Sequence, residues 1–405
     1  MKKIFISVIC YLLFVICAGC SANDSPTDPL TFAPYPTPAT TPAVTQTPEP
    51  TLPPTPAPTP NPSATIQLTG DVLLHGRLMK AAKIGDTYDY TPYFEPIKPY
   101  VNADITVANM ENPVDAFGNN ENLSTYPRFN APLEILDGVK FAGFNTLVTA
   151  NNHAFDRAFD GLVASRKNIE DKGFNVTGTN GTQEQFDEYL ILERNGLKIG
   201  IIAYSELDNG LSSLIPADKR AFAMRRFAIG SEEDLDKMAQ DMAACREAGA
   251  DMVVLSLHWG VEYADKPSAA AIAMARKLAE RGADVVMGNH AHCVQPIEWW
   301  DTDSGRKLII YSLGNFFVDQ NALSPPIPKT QYGMIVKVKA EWDGARLSLD
   351  AEYLPTFMYK FTEGGKLKYL LMPADPNSSV SQKAYNHVTA IAGDSIPAAS
   401  LSSLT

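Results

Sequence analysis

The chain has 405 residues, a formal net charge of −12 and 45% hydrophobic residues. This length and apolar content are sufficient for a large core, and the composition excludes a collagen, a coiled coil and a wholly disordered chain. The acidic excess argues against a nucleic-acid-binding protein, since such proteins carry a basic surface. For the same reason, an anionic substrate would need a local cation, from a metal ion or an arginine cluster.

The first twenty residues have the pattern of a secretory signal. Two lysines precede an apolar run from Ile4 to Ala18, and small residues stand before Cys20. This pattern is typical of a signal peptide, and a cysteine directly after small residues is typical of a bacterial lipobox. We therefore expect residues 1–20 to direct export and Cys20 to be lipidated, which would anchor the protein to the cell membrane outside the cytoplasm. An uncleaved anchor helix and free secretion are the alternatives.

Three further segments follow the signal. Residues 21–63 hold 14 of the 30 prolines, and such a segment favours extended polyproline II rather than a core. We predict a disordered Pro/Thr-rich stalk here, with a ligand for a proline-binding domain as the alternative. Residues 64–372 are predicted to form one folded domain. Residues 373–405 are predicted to be a polar tail, poorly ordered at its end.

Short β-branched runs alternate with amphipathic stretches through the predicted domain, and this alternation predicts an α/β fold. The strand-like runs are Thr65–Leu74, Ile105–Met110, Asn145–Ala150, Lys198–Tyr204, Met252–His258, Asp284–Met287 and Leu308–Leu313, and the helical stretches include Glu232–Glu247 and Pro267–Arg281. Later, Asp343-Gly344 joins two alternating stretches and predicts an antiparallel hairpin.

Almost every strand-like run ends at polar residues that can bind a metal ion. In chain order these residues are Asp71, Asn109, Glu111, Asn151, Asn152, His153, His258, His290, His292 and Asn315. Ligands of open α/β sheets bind at the carboxyl ends of the strands, so these side chains are expected to converge on one crevice. Carboxylate, imidazole and amide donors together suit Mn, Zn or Fe better than Ca or Mg alone.

Each cluster also has an ordinary structural explanation. Asp71 could cap a turn, Glu111 could be a solvated loop acid, and His258 could be a hydrogen-bonded core histidine. His290 and His292 are more specific, because alternate residues of an extended segment project to the same side. All the clusters lie at the ends of strand-like runs, and this common position favours a shared site.

The order of these motifs closely resembles the bacterial capsule-synthesis CapA family, also called poly-γ-glutamate synthesis proteins. The resemblance covers roughly residues 64–355 and rests on Gly70-Asp71, Asn109-x-Glu111, Asn151-Asn152-His153, His258-Trp259-Gly260, Gly288-x-His290-x-His292 and Ser312-Leu313-Gly314-Asn315-Phe316. That family is similar to the calcineurin-like metallophosphoesterases. The resemblance therefore implies a four-layer α/β/β/α sandwich for this chain.

The resemblance also implies a role for each cluster. The metal ligands, for one or two ions, would be Asp71, Glu111, Asn152, His258, His290 and His292. The proton donor to the leaving group would be His153. Residues that bind substrate or support the ligands would be Asn109, Asn151, Trp259 and Asn315, with packing in the core as the equal alternative for Trp259.

The chain departs from the metallophosphoesterase pattern at several positions. Leu73 stands where the Asp-x-His motif has a ligand, and His75 is either its replacement or a neighbouring loop histidine. Ala154 follows His153, where those enzymes have an acidic residue. These departures leave open whether one or two ions bind and whether the substrate is a phosphoester.

The resemblance implies an extracytoplasmic protein that acts in the synthesis, export or trimming of an anionic polymer such as poly-γ-glutamate, by metal-dependent hydrolysis or transfer. Its expected partners are the polymer or its precursor and membrane subunits of a synthase or exporter. One alternative is a non-catalytic, polymer-binding partner of an export complex, which the missing Asp-x-His motif favours. A metal-dependent phosphodiesterase is the other.

Overall fold

The structure, a computed structural model, describes residues 61–320 and 327–401. The strands of this part are β1 Ser63–Leu73, β2 Lys83–Ile84, β3 Thr87–Tyr88, β4 Ile105–Met110, β5 Thr146–Val148, β6 Asn175–Thr177, β7 Leu190–Arg194, β8 Leu197–Ser205, β9 Met252–His258, β10 Val285–Asn289, β11 Ile297–Thr302, β12 Gly305–Ile310, β13 Asn315–Val318, β14 Tyr332–Trp342, β15 Leu347–Glu363 and β16 Lys366–Pro373. The helices are α1 Gly76–Ala82, α2 Thr91–Phe94, α3 Ile135–Ala142, α4 Ala158–Asp171, α5 Gln183–Asp187, α6 Arg220–Ala223, α7 Glu232–Glu247, α8 Ala269–Glu280 and α9 Gln382–Ala392.

Most of these strands belong to two mixed sheets. The first has the order β16-β15-β14-β1-β4-β5-β6, with β13 also paired to β1. Its β1, β4, β5 and β6 run parallel, whereas β14, β15 and β16 are antiparallel, which confirms the predicted hairpin at Asp343-Gly344. The second sheet has the order β11-β12-β10-β9-β8-β7, with parallel strands between two antiparallel edge strands.

The two sheets pack face to face between helices. Ile66 and Leu68 of β1 share the core between the sheets with Val254 of β9. Val253 and Leu255 of β9 lie on the opposite face, which α7 and α8 cover, because successive side chains of a strand alternate between faces. The outer face of the first sheet is covered by α1, α2 and α3. The structure therefore confirms the predicted four-layer α/β/β/α sandwich.

Helix α7 forms with the bounds that the sequence predicted. The Ser231 hydroxyl accepts a hydrogen bond from the backbone N–H of Asp234 (3.2 Å) and caps the helix. Acidic residues occupy the first turn, where the helix dipole favours them. The buried face, with residues three or four apart, consists of Leu235, Met238, Met242 and Cys245.

The folded domain extends beyond the boundary predicted at residue 372, so the prediction of a polar tail needs correction. Helix α9 buries Ala384, Val388 and Ala392, at four-residue intervals, in the core between the sheets. Further on, the backbone N–H of Tyr353 in β15 donates to the Pro397 carbonyl oxygen (3.0 Å). The apolar stripe is narrow and consists mainly of alanine, which is why the polar composition concealed it.

Several predictions concern residues outside the described part of the chain. They are the signal of residues 1–20, the lipidation of Cys20 and the stalk up to residue 60. Within residues 61–320 and 327–401, no helix has the length and apolar character needed to span a bilayer.

Two glycines let the strand ends approach one another at the edge where the polar clusters lie. A Cβ atom on Gly70 would stand 1.7 Å from the Gly314 carbonyl oxygen, and one on Gly288 would stand 1.9 Å from the Tyr311 carbonyl oxygen. Only glycine tolerates such close backbone contacts. The carboxyl ends of β1, β4, β5, β9 and β10 therefore bring their polar residues to one edge of the sandwich.

Candidate metal centre

Five predicted metal ligands meet at this edge. Two groups of side chains have ligand atoms that all lie within 4.8 Å of one another, and the groups are Glu111 with His258 and His290, and Glu111 with Asp71 and His292. All five side chains are buried. Glu111 belongs to both groups, so the two groups form one continuous centre.

Close contacts connect the two groups through Glu111. Nε2 of His258 lies 3.5 Å from Oε1 of Glu111 and 3.1 Å from Nδ1 of His290. Nε2 of His292 lies 3.6 Å from the same Glu111 oxygen, and its Nδ1 lies 3.2 Å from Oδ2 of Asp71. The Glu111 carboxylate therefore stands between an imidazole of each group.

Three predicted amide residues contact these ligands. Nδ2 of Asn109 donates to Oδ1 of Asp71 (2.7 Å) and lies 3.3 Å from Nδ1 of His258. Oδ1 of Asn315 lies 2.9 Å from Nδ1 of His292. Oδ1 of Asn152 lies 3.0 Å from Nε2 of His258, the nitrogen that also faces Glu111. Asn109 and Asn315 thus orient ligand side chains, while Asn152 places an oxygen among the ligand atoms.

Asn151 and Trp259 have other positions. The side-chain oxygen of Asn151 accepts from the His153 backbone N–H (3.1 Å) and its amide donates to the Met110 carbonyl (2.9 Å), so Asn151 shapes the loop. Trp259 packs between the second sheet and its helices, and its indole N–H donates to the Tyr311 carbonyl (3.2 Å). The large apolar ring of Trp259 is therefore buried in the core next to His258, and its role in binding substrate or supporting the ligands stays a prediction.

The segment that carries His290 and His292 is not extended, which corrects the reasoning from alternate residues. Their φ angles are 88° and 53°, in the left-handed region that non-glycine residues rarely adopt. Strand β10 ends at Asn289, and the chain then turns. Both rings nevertheless reach the centre, and such strained backbone persists where the surrounding structure fixes it, often at functional sites.

The buried groups have strongly perturbed acidities. Burial, together with the neighbouring Asp71, raises the pKa of Glu111 well above its usual value. Burial and neighbouring histidines lower the pKa of His258 well below the usual range and that of His290 to about 3. Although burial opposes its charge, the carboxylates of Glu111 and Asp71 raise the pKa of His292 to about 10. His258 and His290 are therefore neutral near pH 7, the form in which imidazole binds a metal.

The donor atoms of this centre fit a divalent cation. Among the described residues, neither carboxylate oxygen of Glu111 has a hydrogen-bond partner, and both side-chain polar atoms of Asn289 also lack one. A buried carboxylate without donors is unfavourable unless a cation neutralises it. Two carboxylates with three imidazoles suit a borderline transition-metal ion.

His153 lies beside the centre, in the wall of a cavity of about 640 Å³. Its Nδ1 lies 2.9 Å from Oδ2 of Asp156, and that oxygen also accepts a hydrogen bond from the Phe129 backbone N–H (2.6 Å). The polar residues of the cavity wall include His75, Arg128, Asn152, His153, Glu262 and His292.

The sequence interpretation missed Asp156 and Arg128. It looked for an acid directly after His153, whereas the acid stands three residues later, within reach across a turn. Arg128 donates through Nε to the Asp156 carbonyl oxygen (2.9 Å), a contact without a sequence signal. His75 lines the cavity but belongs to neither ligand group, and burial lowers its pKa to about 4.

A four-layer sandwich with a His-, Asp- and Glu-rich centre at its strand ends is the architecture of a metallophosphoesterase-like protein. Residues 65–320 match the family described as bacterial capsule synthesis protein PGA_cap. This match covers more than half of the chain, and the protein belongs to this family.

Several curated proteins are similar to the chain. It is 27% identical over 259 residues to the capsule biosynthesis protein CapA of Bacillus anthracis, across 63% of this chain and 60% of that protein. It is 25% identical over 252 residues to the PGA biosynthesis protein CapA of Bacillus subtilis (strain 168), across 62% of each. An uncharacterized protein, y4sH, of Sinorhizobium fredii is 22% identical over 295 residues. The match thus spans about three fifths of the length of the two Bacillus relatives.

Proposed function

We propose that this protein is a metal-dependent enzyme of capsule synthesis that hydrolyses or transfers at a bond of an anionic polymer such as poly-γ-glutamate. The observation that carries the proposal is the carboxylate of Glu111, shared by two buried groups of metal-binding side chains. Membership of a capsule-synthesis family supports the pathway, and the name of the Bacillus subtilis relative, a PGA biosynthesis protein, supports the polymer.

The chain supplies five donor side chains for the cation. The side chains that would hold it are Asp71, Glu111, His258, His290 and His292. A bound divalent cation, which we propose to be Mn, Zn or Fe, would lower the pKa of a water ligand and polarise the bond that is attacked. Asn109 and Asn315 keep two of these side chains in orientation through the contacts described above.

His153 is proposed to give a proton to the leaving group. With Asp156 bound at Nδ1, the remaining ring nitrogen, Nε2, is available for proton transfer. The Phe129 ring packs against the imidazole in a T-shaped contact, at 4.7 Å between centroids, and limits its rotation. Arg128 holds the Asp156 backbone, so the proton donor stays in place while substrate binds.

A non-catalytic, polymer-binding subunit of an export complex is the second candidate. Leu73 favours it, because this buried side chain packs with Phe129 and Val318 where related enzymes place a metal-binding histidine. His75, two residues further along the chain, lies outside both groups of metal-binding side chains.

We also propose that the enzyme acts outside the cytoplasm, held at the membrane through Cys20. The support is the signal-like pattern of residues 1–20 and the cysteine after small residues. Capsule polymers lie outside the cell, so such a location places the enzyme beside its substrate.

The test compares metal content and turnover in the full chain. Bound transition metals are quantified by mass spectrometry in the wild type, His258→Ala and His153→Ala, with His387→Ala, a histidine of α9 outside both ligand groups, as the control. Each protein is then assayed on γ-glutamyl amide, ester and phosphodiester substrates. We expect metal to be lost only in His258→Ala, and turnover to be lost in both His258→Ala and His153→Ala.

Other results would decide against the proposal. Absence of metal from the wild type after reconstitution with Mn, Zn and Fe would overturn the metal-dependent mechanism. Three results together would favour the non-catalytic subunit. They are metal retained in His153→Ala, no turnover by the wild type, and unchanged polymer output in cells that carry His153→Ala. Turnover of the phosphodiester alone would change the substrate class.

A further inference from the structure

A second cavity, of about 730 Å³, lies between helix α1 and the β15–β16 turn. Five cationic side chains line it, and we call this site the basic cleft: Arg77, Lys80, Lys83, Lys366 and Lys368. Asp89 also lines the cavity, but its carboxylate already accepts a hydrogen bond from the Thr91 backbone N–H (2.9 Å). Such a concentration of positive charge, in a chain of net charge −12, attracts anions.

Secondary structure places the cations on two walls of the cleft. Arg77 and Lys80 are three residues apart on α1 and so share one face of that helix. Lys366 and Lys368 are alternate residues of β16 and so share one face of that strand. Helix α1 packs against β16, which brings both pairs to one cavity although nearly three hundred residues separate them in the sequence.

The lysines of the cleft are available to a ligand. Among the described residues, Lys80, Lys83, Lys366 and Lys368 form no ion pair or hydrogen bond through their ammonium groups. Arg77 differs, since its Nε lies 3.5 Å from Oδ2 of Asp319. The cleft therefore holds one anchored cation and four whose charges face solvent or a bound anion.

The basic cleft and the cavity of the candidate metal centre are linked through two short stretches of chain. His75 lines the centre's cavity, and Arg77, two residues later, lines the cleft. Gln320 lines the centre's cavity, and the preceding residue, Asp319, binds Arg77. Residues that are neighbours in the chain therefore line the two cavities, although the cavities have no lining residue in common.

We propose that the basic cleft binds a segment of an anionic polymer, a chain of repeating carboxylates or phosphates, outside the metal centre. Repeated charges match several cations along two walls, whereas a single small anion would engage only one or two of them. The cations line a concave cavity rather than a flat face, which favours a flexible chain over a membrane surface. That the polymer is also the substrate rests on the proposed function. The cleft then holds a long chain while one of its bonds lies at the metal centre.

The experiment measures polymer binding by the full chain in non-ionic detergent. Labelled poly-γ-glutamate and poly(glycerol phosphate) are titrated at low and high salt, and sedimentation with vesicles of phosphatidylcholine and phosphatidylglycerol tests the membrane. The variants are K366E/K368E on one wall and K80E/K83E on the other. The matched control is K337E/K339E, which makes the same charge change at the same spacing on β14 of the same sheet.

At low salt, we expect the affinity of each cleft variant for one of the two polymers to be roughly tenfold lower than that of the control variant. At high salt this difference in affinity should be smaller, because salt screens the charges. Polymer affinity that falls equally in the control would show a general charge effect and overturn the proposal. The proposal would also be overturned if the cleft variants lost only vesicle binding, or if the wild type bound neither polymer. Metal content, measured on the same preparations, tests the proposed function separately, because the cleft variants leave every metal ligand intact.

Discussion

Nδ1 of His153 and Oδ2 of Asp156 lie 2.9 Å apart, and both side chains are buried beside the metal centre. The same Asp156 oxygen accepts a hydrogen bond from the Phe129 backbone N–H. A carboxylate held in this way fixes the orientation of the imidazole and its tautomer. Asp156 therefore acts as a positioning residue for the proposed proton donor, in place of the acid that related enzymes carry directly after their histidine.

The substitution Asp156→Asn is expected to lower kcat by about a hundredfold, because His153 loses the carboxylate that orients it. KM and metal content stay unchanged, since Asp156 touches neither the proposed ligands nor the substrate. Steady-state kinetics and metal analysis check this split. Asp160→Asn, an exposed acid in the first turn of α4, is the control. A variant with wild-type kcat would remove Asp156 from the mechanism.

Metal stoichiometry distinguishes the shared ligand from the others. Glu111 belongs to both ligand groups and His290 to one, so Glu111→Gln is expected to lose all bound metal and His290→Gln only part of it. Native mass spectrometry counts the ions on each folded chain. If a single ion binds and both variants lose it equally, the two groups do not act as two separate metal sites.

The buried carboxylate of Asp319 is expected to contribute a pH-dependent part of the stability. Although burial opposes ionisation, hydrogen bonds from Lys360 and Tyr369 hold the pKa of Asp319 below its usual value. A lowered folded-state pKa stabilises the protein above the unfolded value near 3.8 and loses this effect as pH falls through the folded value.

Asp319→Asn should therefore cost about 3 kcal/mol of unfolding free energy at pH 7, because Lys360 loses its buried partner. The cost should be smaller at about pH 3, because the stabilisation declines as pH falls from the unfolded value near 3.8 through the lowered folded value. Urea unfolding at both pH values measures the difference, with Asp350→Asn on β15 as an exposed control. A cost that does not change between these pH values would show that the charge of Asp319 is unimportant.

Gly70→Ala tests the close approach of the strands below the centre. The added Cβ would stand 1.7 Å from the Gly314 carbonyl oxygen, so we expect a loss of about 3 kcal/mol or more and a displaced Asp71 with reduced metal content. Gly76→Ala is the control, since the nearest atom to its Cβ would be the Thr125 hydroxyl at 3.5 Å. Thermal unfolding and metal analysis compare the two. Normal stability and metal content in Gly70→Ala would mean that the strands can separate without consequence.

The sequence by itself determined the elements and the ligand types. Alternation of β-branched runs with amphipathic stretches is a local pattern, so strands such as Met252–His258 and the helix Glu232–Glu247 were predicted with their observed bounds. Polar residues in the last positions of a strand, or directly after it, must lie near its carboxyl end whatever the fold. Asp71, Glu111 and His258 could therefore be predicted as ligand candidates without any knowledge of their neighbours.

Only the tertiary structure decided which of these side chains meet and what lies around them. The sharing of Glu111 between two groups depends on the packing of two sheets, and the basic cleft depends on the contact of α1 with β16. The turns that bring Asp156 to His153 and aim His290 inward are set by backbone angles that these residues alone do not specify. Distances between residues far apart in the chain follow from packing, because no local preference encodes them.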